Sequence, residues 1–266
     1  MSKRVIVCAD DYGFDADVSE GILDCVDAAV VSAVSCMTLA AHWPVQAKAI
    51  ASRRHQADFG LHLDVNEFAD HAKGRSLSGW IVAAYMRQIK LKEARKWVDA
   101  QLDAFEDGAG MAPRFLDGHQ HVHQLPVLRS AVLGAIATRY GTACALRDCR
   151  PRHWRGGKAQ LIGLLGARSL ERSARRSGLL SNHDFAGVYD FSTSRPYGDR
   201  VANWLATLDD GGMLMTHPSR ASGESVAHDP IRSARQSEHA WWLSQAAQLQ
   251  LERMAIKVVR FDTLDR

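Results

Sequence analysis

The chain has 266 residues, 46% of them hydrophobic and 24% charged, ordinary values for a soluble globular protein long enough to bury a sizeable core. A formal net charge of +3 is too mild to imply nucleic-acid binding, and no apolar run approaches the ~20 residues that a membrane-spanning helix needs. The five cysteines (Cys8, Cys25, Cys36, Cys144 and Cys149) have no paired spacing, and the apolar run after Met1-Ser2-Lys3-Arg4 is too short for a secretory signal; both point to a cytoplasmic protein with reduced thiols.

Short apolar strands alternate with amphipathic helices almost from end to end. Arg4 to Ala9 is a β-branched run of the kind buried on both faces of a parallel sheet. After a glycine turn, Val18, Ile22, Cys25, Val26 and Ala29 recur at helical spacing. Val34 to Leu39 reads as a second strand, Pro44 to Arg54 as a helix opened by proline, and Phe59 to Val65 as a third strand. Leu91 to Glu106 is helical by propensity and ends at Gly108. Phe115 to Leu116 begins a strand that stops in a histidine cluster, and Pro126 opens a helix to Tyr140. Ala143 to Leu146, Val188 to Phe191, Met213 to Thr216 and Val258 to Phe261 are further strands, with helices at Arg200 to Leu208 and Ala234 to Met254.

This alternation predicts an α/β fold with a parallel sheet, and seven or eight βα units fit a (β/α) barrel-like single domain related to the TIM barrel. A doubly wound open sheet is the alternative. Two stretches break the rhythm, Glu67 to Lys90 and Arg147 to Asp184, and in a barrel they are long βα loops over the active face. Arg147 to Arg176 holds nine basic and two acidic residues, a net +7, so the mild overall balance hides a basic patch.

Four strand ends carry the chemistry. Ala9-Asp10-Asp11-Tyr12-Gly13 puts two adjacent carboxylates at the end of a buried strand, where their repulsion calls for a metal ion or a shared proton, unless the segment is a solvated turn. His62 interrupts the apolar strand Phe59-Gly60-Leu61-His62-Leu63-Asp64, as a ligand or as a hydrogen-bonded core histidine. Leu116-Asp117-Gly118-His119-Gln120-His121-Val122-His123 holds three histidines at alternate positions, which share one side if the segment is extended. Clustered His and Asp at a strand end are most simply a metal site. Met213-Leu214-Met215-Thr216-His217-Pro218-Ser219 ends another buried strand in a histidine. In a parallel barrel, Asp10, Asp11, His62, His119 and His217 all converge on the face where such folds keep their active sites. Two imidazoles and one carboxylate make a metal set with open positions, and the carboxylate and histidine left over supply a base and an acid.

These motifs resemble, in order and over nearly the whole chain, the YdjC-like carbohydrate deacetylases. Ala145-Leu146-Arg147-Asp148, Gly187-Val188-Tyr189-Asp190-Phe191-Ser192 and Asp229-Pro230-Ile231 with Ala234-Arg235 are similar to the hopanoid-biosynthesis-associated branch, whose implied substrate is an N-acetylglucosaminyl hopanoid lipid. The resemblance implies a barrel-like fold, a divalent metal held by Asp11, His62 and His119, Asp10 as general base and His217 as general acid. It leaves Asp117, His121, His123 and Arg147 for contacts to substrate or behind the ligands. A homodimer is a further implication. Imidazole ligands favour zinc by softness, whereas magnesium, the alternative, has been ascribed to family members.

Two features depart from the family pattern: Asn66-Glu67-Phe68-Ala69 replaces a Gly-Pro-containing loop, and Ser219 stands where glycine commonly follows His-Pro. The apolar run Gln160-Leu161-Ile162-Gly163-Leu164-Leu165 inside the basic segment fits contact with the inner membrane surface, or a basic helix that only covers the barrel. Two other classes share the residue set: a two-histidine, one-carboxylate iron oxygenase, and a non-catalytic sugar- or lipid-binding protein.

Overall fold

The computed structural model describes residues 2–70, 74–221 and 229–264. Its centre is the strand β1 (Lys3–Tyr12), whose Val5, Ile6 and Val7 are wholly buried, as a β-branched run flanked on both faces must be. The following chain turns at Gly13 into α1 (Ala16–Asp27), which Asp15 caps by accepting the Val18 N–H at 2.7 Å. β2 (Ala33–Cys36), α2 (Trp43–Ala51, with proline in its first turn) and β3 (Asp58–Leu63) continue the alternation. Then come α3 (Leu77–Tyr85), α4 (Leu91–Ala109), β4 (Phe115–Gly118), α5 (Leu128–Arg139) and β5 (Ala145–Leu146). α6 (Gly157–Ile162), α7 (Arg168–Arg176), β6 (Phe185–Ala186), α8 (Tyr197–Thr207), β7 (Gly212–Thr216), α9 (Arg232–Trp242), α10 (Gln245–Arg253) and β8 (Ile256–Val258) complete the chain.

All pairings are parallel, in the order β5-β4-β3-β2-β1-β7-β6, and β8 joins the start of β1. The sheet curls into a half-barrel. Leu146 of β5 bridges Ser181, and a few residues later β6 pairs with β7. The expected barrel-like α/β fold is therefore present. Its entirely parallel sheet counts against the antiparallel scaffolds usual for the iron oxygenases.

Several expected boundaries move, each for a local reason. Val188 to Phe191 is not a strand. Gly187, at φ 105°, turns the chain away after β6, and a Cβ there would lie 2.3 Å from the Met215 carbonyl oxygen. The helix expected over Ala234 to Met254 is two, because Ser244 is extended and its hydroxyl caps α10 by accepting the Ala247 N–H. α4 runs past Gly108 to the left-handed Gly110. The two long loops carry helices of their own, α3 in the first and α6 and α7 in the second.

A buried ion pair ties the segment after β5 to the start of β6. Asp184 accepts from both Nη atoms of Arg155 (2.8 and 2.6 Å) and from the N–H groups of Arg152, Phe185 and Asp209. Neither side chain is more than 3% exposed. Removing one partner of such a pair strands a buried charge, so Arg155→Ala is expected to lower unfolding free energy by ~3 kcal/mol. Urea denaturation of both proteins measures it; a loss below ~1 kcal/mol would show that the three N–H groups alone suffice.

Candidate active site

The carboxyl ends of the strands open into one cavity of about 440 Å³. Asp10 and Asp11 both line it, which a regular strand forbids, since neighbouring side chains point to opposite faces. A bulge resolves this. Between Ala9 and Tyr12, β1 advances one residue more than β2, and Asp11 adopts the left-handed φ of 75°.

Asp11 then meets His62 from the end of β3 and His119 from the end of β4. Its Oδ1 lies 3.4 Å from His62 Nε2 and 3.0 Å from His119 Nδ1, and the three candidate ligand atoms lie within 4.8 Å of one another. The His62 ring is aimed from behind, its Nδ1 lying 2.6 Å from Asp117 Oδ1. A carboxylate on Nδ1 leaves Nε2 for the cavity, the arrangement that orients metal-ligating histidines. Burial works against a charged His62, yet the Asp117 and Asp10 carboxylates outweigh it and push its pKa up to about 10. Two imidazole nitrogens and one carboxylate oxygen gathered within 4.8 Å are a donor set that fits one divalent ion.

Asp10 is held by Arg147, whose Nη1 and Nη2 donate to its two oxygens at 2.7 and 2.5 Å. Arg147 Nη2 also lies 2.7 Å from Asp117, so one guanidinium ties Asp10 to the partner of His62. Burial would raise the Asp10 pKa, but Arg147 outweighs it and keeps the group well below the usual carboxylate range. Arg235 does the same for Asp11, donating from Nη2 to Oδ2 at 2.6 Å.

His217, at the end of β7, also lines the cavity. Its backbone N–H donates to Glu238 Oε2 at 2.6 Å, and the same carboxylate accepts from Thr216 Oγ1 and Tyr189 OH at 2.5 Å each. Its Nδ1 is buried without a partner among the described residues. Burial pulls the imidazole below the ordinary histidine range, and the Glu238, Asp11 and Asp10 charges only partly offset that.

The expected positions thus fall into two groups. Asp10, Asp11, His62, His119, His121 and His217 line the cavity, whereas Asp117, His123 and Arg147 do not. Those three are wholly buried behind its wall, where Asp117 backs His62 and Arg147 backs Asp10. The histidine cluster is also not extended: His119 to Gln124 is a 3-10 turn with left-handed Gln120 and His121. His121 Nδ1 consequently faces Cys149 Sγ at 3.4 Å, while His123 Nε2 donates to the Arg147 carbonyl at 3.1 Å. Arg235 and Glu238 were missed as site residues. Both lie in α9, and the one sequence signal near them is the Ala234-Arg235 pair of the resembling branch. All five cysteines are free and buried.

A carbohydrate deacetylase of Danio rerio is 30% identical over 271 residues, spanning 92% of this chain and 84% of that protein. A chitooligosaccharide deacetylase of Enterobacter sp. (strain 638) is 27% identical over 150 residues, 54% of this chain and 59% of the other. A solved Enterococcus faecalis V583 structure, described as a candidate cellobiose-phosphate cleavage protein, superposes over the full length of both chains with a TM-score of 0.73 at 17% identity and so shares the fold. The family model for YdjC-like proteins matches residues 4–253, and the chain belongs to that family.

Proposed function

We propose that this protein hydrolyses the N-acetyl group of an amino sugar. The observation that carries the proposal is the convergence of Asp10, Asp11, His62, His119 and His217 on one cavity. The deacetylase relatives support the same reaction class. In this reading Asp11, His62 and His119 hold one divalent cation, zinc by ligand type and magnesium as the alternative. When bound, the cation polarises the acetyl carbonyl and makes water more acidic.

The remaining steps belong to the side chains. Arg147 keeps Asp10 ionised, so the base is always able to accept a proton from the attacking water. The guanidinium also weakens that base, so the acidity of the water has to supply the driving force. His217 stands on the same cavity with an Nδ1 that has no hydrogen-bond partner among the described residues, fitting an acid that protonates the departing nitrogen, without which an amine leaves poorly.

The cavity walls refine the substrate. The two insertions contribute apolar side chains, Leu77 and Ile81 from α3 and Leu161, Ile162 and Leu165 from the α6 region. A sugar carrying a rigid apolar aglycone, the N-acetylglucosaminyl hopanoid of the resembling branch, suits such walls. Leu164 and Trp154 are 71% and 76% exposed on the same insertion, and Arg168, Arg172, Arg175 and Arg176 are exposed on α7. That combination favours an anionic membrane surface as the place of work. No helix of the described residues is long and apolar enough to cross a membrane.

Acetate release from soluble and lipid-linked N-acetylglucosaminyl substrates by metal-reconstituted protein tests the reaction. Wild-type release should fall at least ~100-fold in Asp10→Asn and in His119→Ala. No release from any substrate, with metal demonstrably bound, would overturn it. Asp117→Asn is expected to weaken divalent-cation affinity ~10–100-fold in calorimetric titration, because His62 loses the carboxylate that orients it; unchanged affinity would remove His62 from the ligand set. The third expectation concerns pH. If protonated His217 is the acid, activity declines as pH rises through its pKa. Glu238 raises that pKa, so Glu238→Gln should move the alkaline limb of kcat/KM to lower pH. A limb that stays in place would detach His217 from it.

A further inference from the structure

Arg235 is 3% exposed, lines the cavity and is only partly used. Its Nη2 donates to Asp11 Oδ2 at 2.6 Å and its Nε to Asp229 Oδ2 at 2.9 Å. Its Nη1 is buried and has no hydrogen-bond partner among the described residues. An unmet donor at such depth costs about 1–3 kcal/mol, and native structures leave few of them without a purpose. The guanidinium is also held in place. Phe14, another cavity-lining side chain, packs on it with the ring centroid 5.4 Å from Cζ. Arg147 makes a useful contrast. Both of its Nη atoms are committed to carboxylates and it does not reach the cavity.

We infer that Arg235 Nη1 is a catalytic hydrogen-bond donor to the oxygen of the acetyl group as it becomes an oxyanion. This rests on the deacetylase reading. In that reaction the water oxygen bonds to the acetyl carbon, a water proton passes to Asp10, and the C=O π pair moves onto oxygen. When the C–N bond breaks, that pair re-forms the carbonyl. The nitrogen leaves with its bonding electrons and takes a proton, giving acetate and the amine. Negative charge thus grows on one oxygen, which needs donors fixed before the charge arrives. The cavity supplies one beside the ligand cluster. His62 and His119 face Oδ1 of Asp11 while Arg235 holds Oδ2 of the same carboxylate. A substrate oxygen drawn to that cluster therefore comes up against the guanidinium, and Nη1 is the group with capacity to spare.

Arg235 has a second task, holding Asp11, and the test must separate the two. Arg235→Lys keeps a cation for Asp11 and removes the planar second donor. The expected result is cation affinity and KM within about threefold of wild type, with kcat lower by ~100–1000-fold. A methylphosphonamidate of glucosamine, which carries an anionic tetrahedral group where the acetyl was, should lose affinity in parallel with kcat. The amine product should bind as before. Arg235→Ala, checked for folding by thermal unfolding, should regain activity with added guanidinium and not with added ammonium. Unchanged kcat in Arg235→Lys, or a loss that disappears at saturating metal, would overturn the assignment and leave Arg235 as a counter-ion for Asp11. A wild type that releases no acetate would overturn the deacetylase reading itself, and this assignment with it.

Discussion

Two adjacent carboxylates buried at the end of one strand are the constraint on which this site depends. Asp10 and Asp11 are each 2% exposed, and neither could stay ionised in that position without a cation at hydrogen-bond distance. The structure meets the requirement twice, with Arg147 on Asp10 and Arg235 on Asp11. Those partners lie 137 and 224 residues away along the chain, so the ion pairs exist only once the barrel has curled round. Fold and site are in this sense one problem. Without these two arginines the folded chain would hold two buried charges unpaired, at several kcal/mol each.

The same site holds backbone that the chain does not adopt freely. Asp11, Gln120 and His121 have φ of 75°, 51° and 63°, and none is glycine. Conformations of this kind cost of the order of 1–3 kcal/mol and persist where the surroundings overdetermine them. At Asp11 the bulge turns two consecutive side chains to one face. At Gln120 and His121 the kinked turn sends His119 towards Asp11, His121 to Cys149 and His123 to the carbonyl of Arg147. The strain is what separates three histidines that an extended strand would have aligned.

That separation explains which parts of the site were legible in the sequence. Asp10, Asp11, His62, His119 and His217 stood out because each ends an apolar run, and strand ends in a parallel barrel share a face. Position along a strand cannot tell cavity from wall, so the sequence left Asp117, His123 and Arg147 between substrate contact and a place behind the ligands, and they lie behind the cavity wall. Arg235 and Glu238 were invisible for a different reason. On a helix of mixed charge, a buried guanidinium or carboxylate reads like any solvated one, and only the packing of α9 against β7 makes the difference. Val188 to Phe191 has strand composition, but the positive φ of Gly187 ends the ladder before it. α3 and α6 sit in segments whose apolar residues face the cavity as well as the core, so their helical periodicity was blurred.

The division of labour within the chain follows from this arrangement. The strands supply the chemistry, because only their ends can be held to a fraction of an ångström by pairing on both sides. The two insertions supply the walls, with α3 on one side and the α6 region on the other. Loops change far more readily than strands, so substrate fit and reaction type are free to vary separately. The contact between Gln124 Nε2 and the carbonyl of Ile162, at 2.8 Å, shows where the two meet. Gln124 closes the histidine turn and Ile162 belongs to the second insertion, and both line the cavity. A change in the wall at Ile162 therefore reaches, through one hydrogen bond, the turn that aims His119.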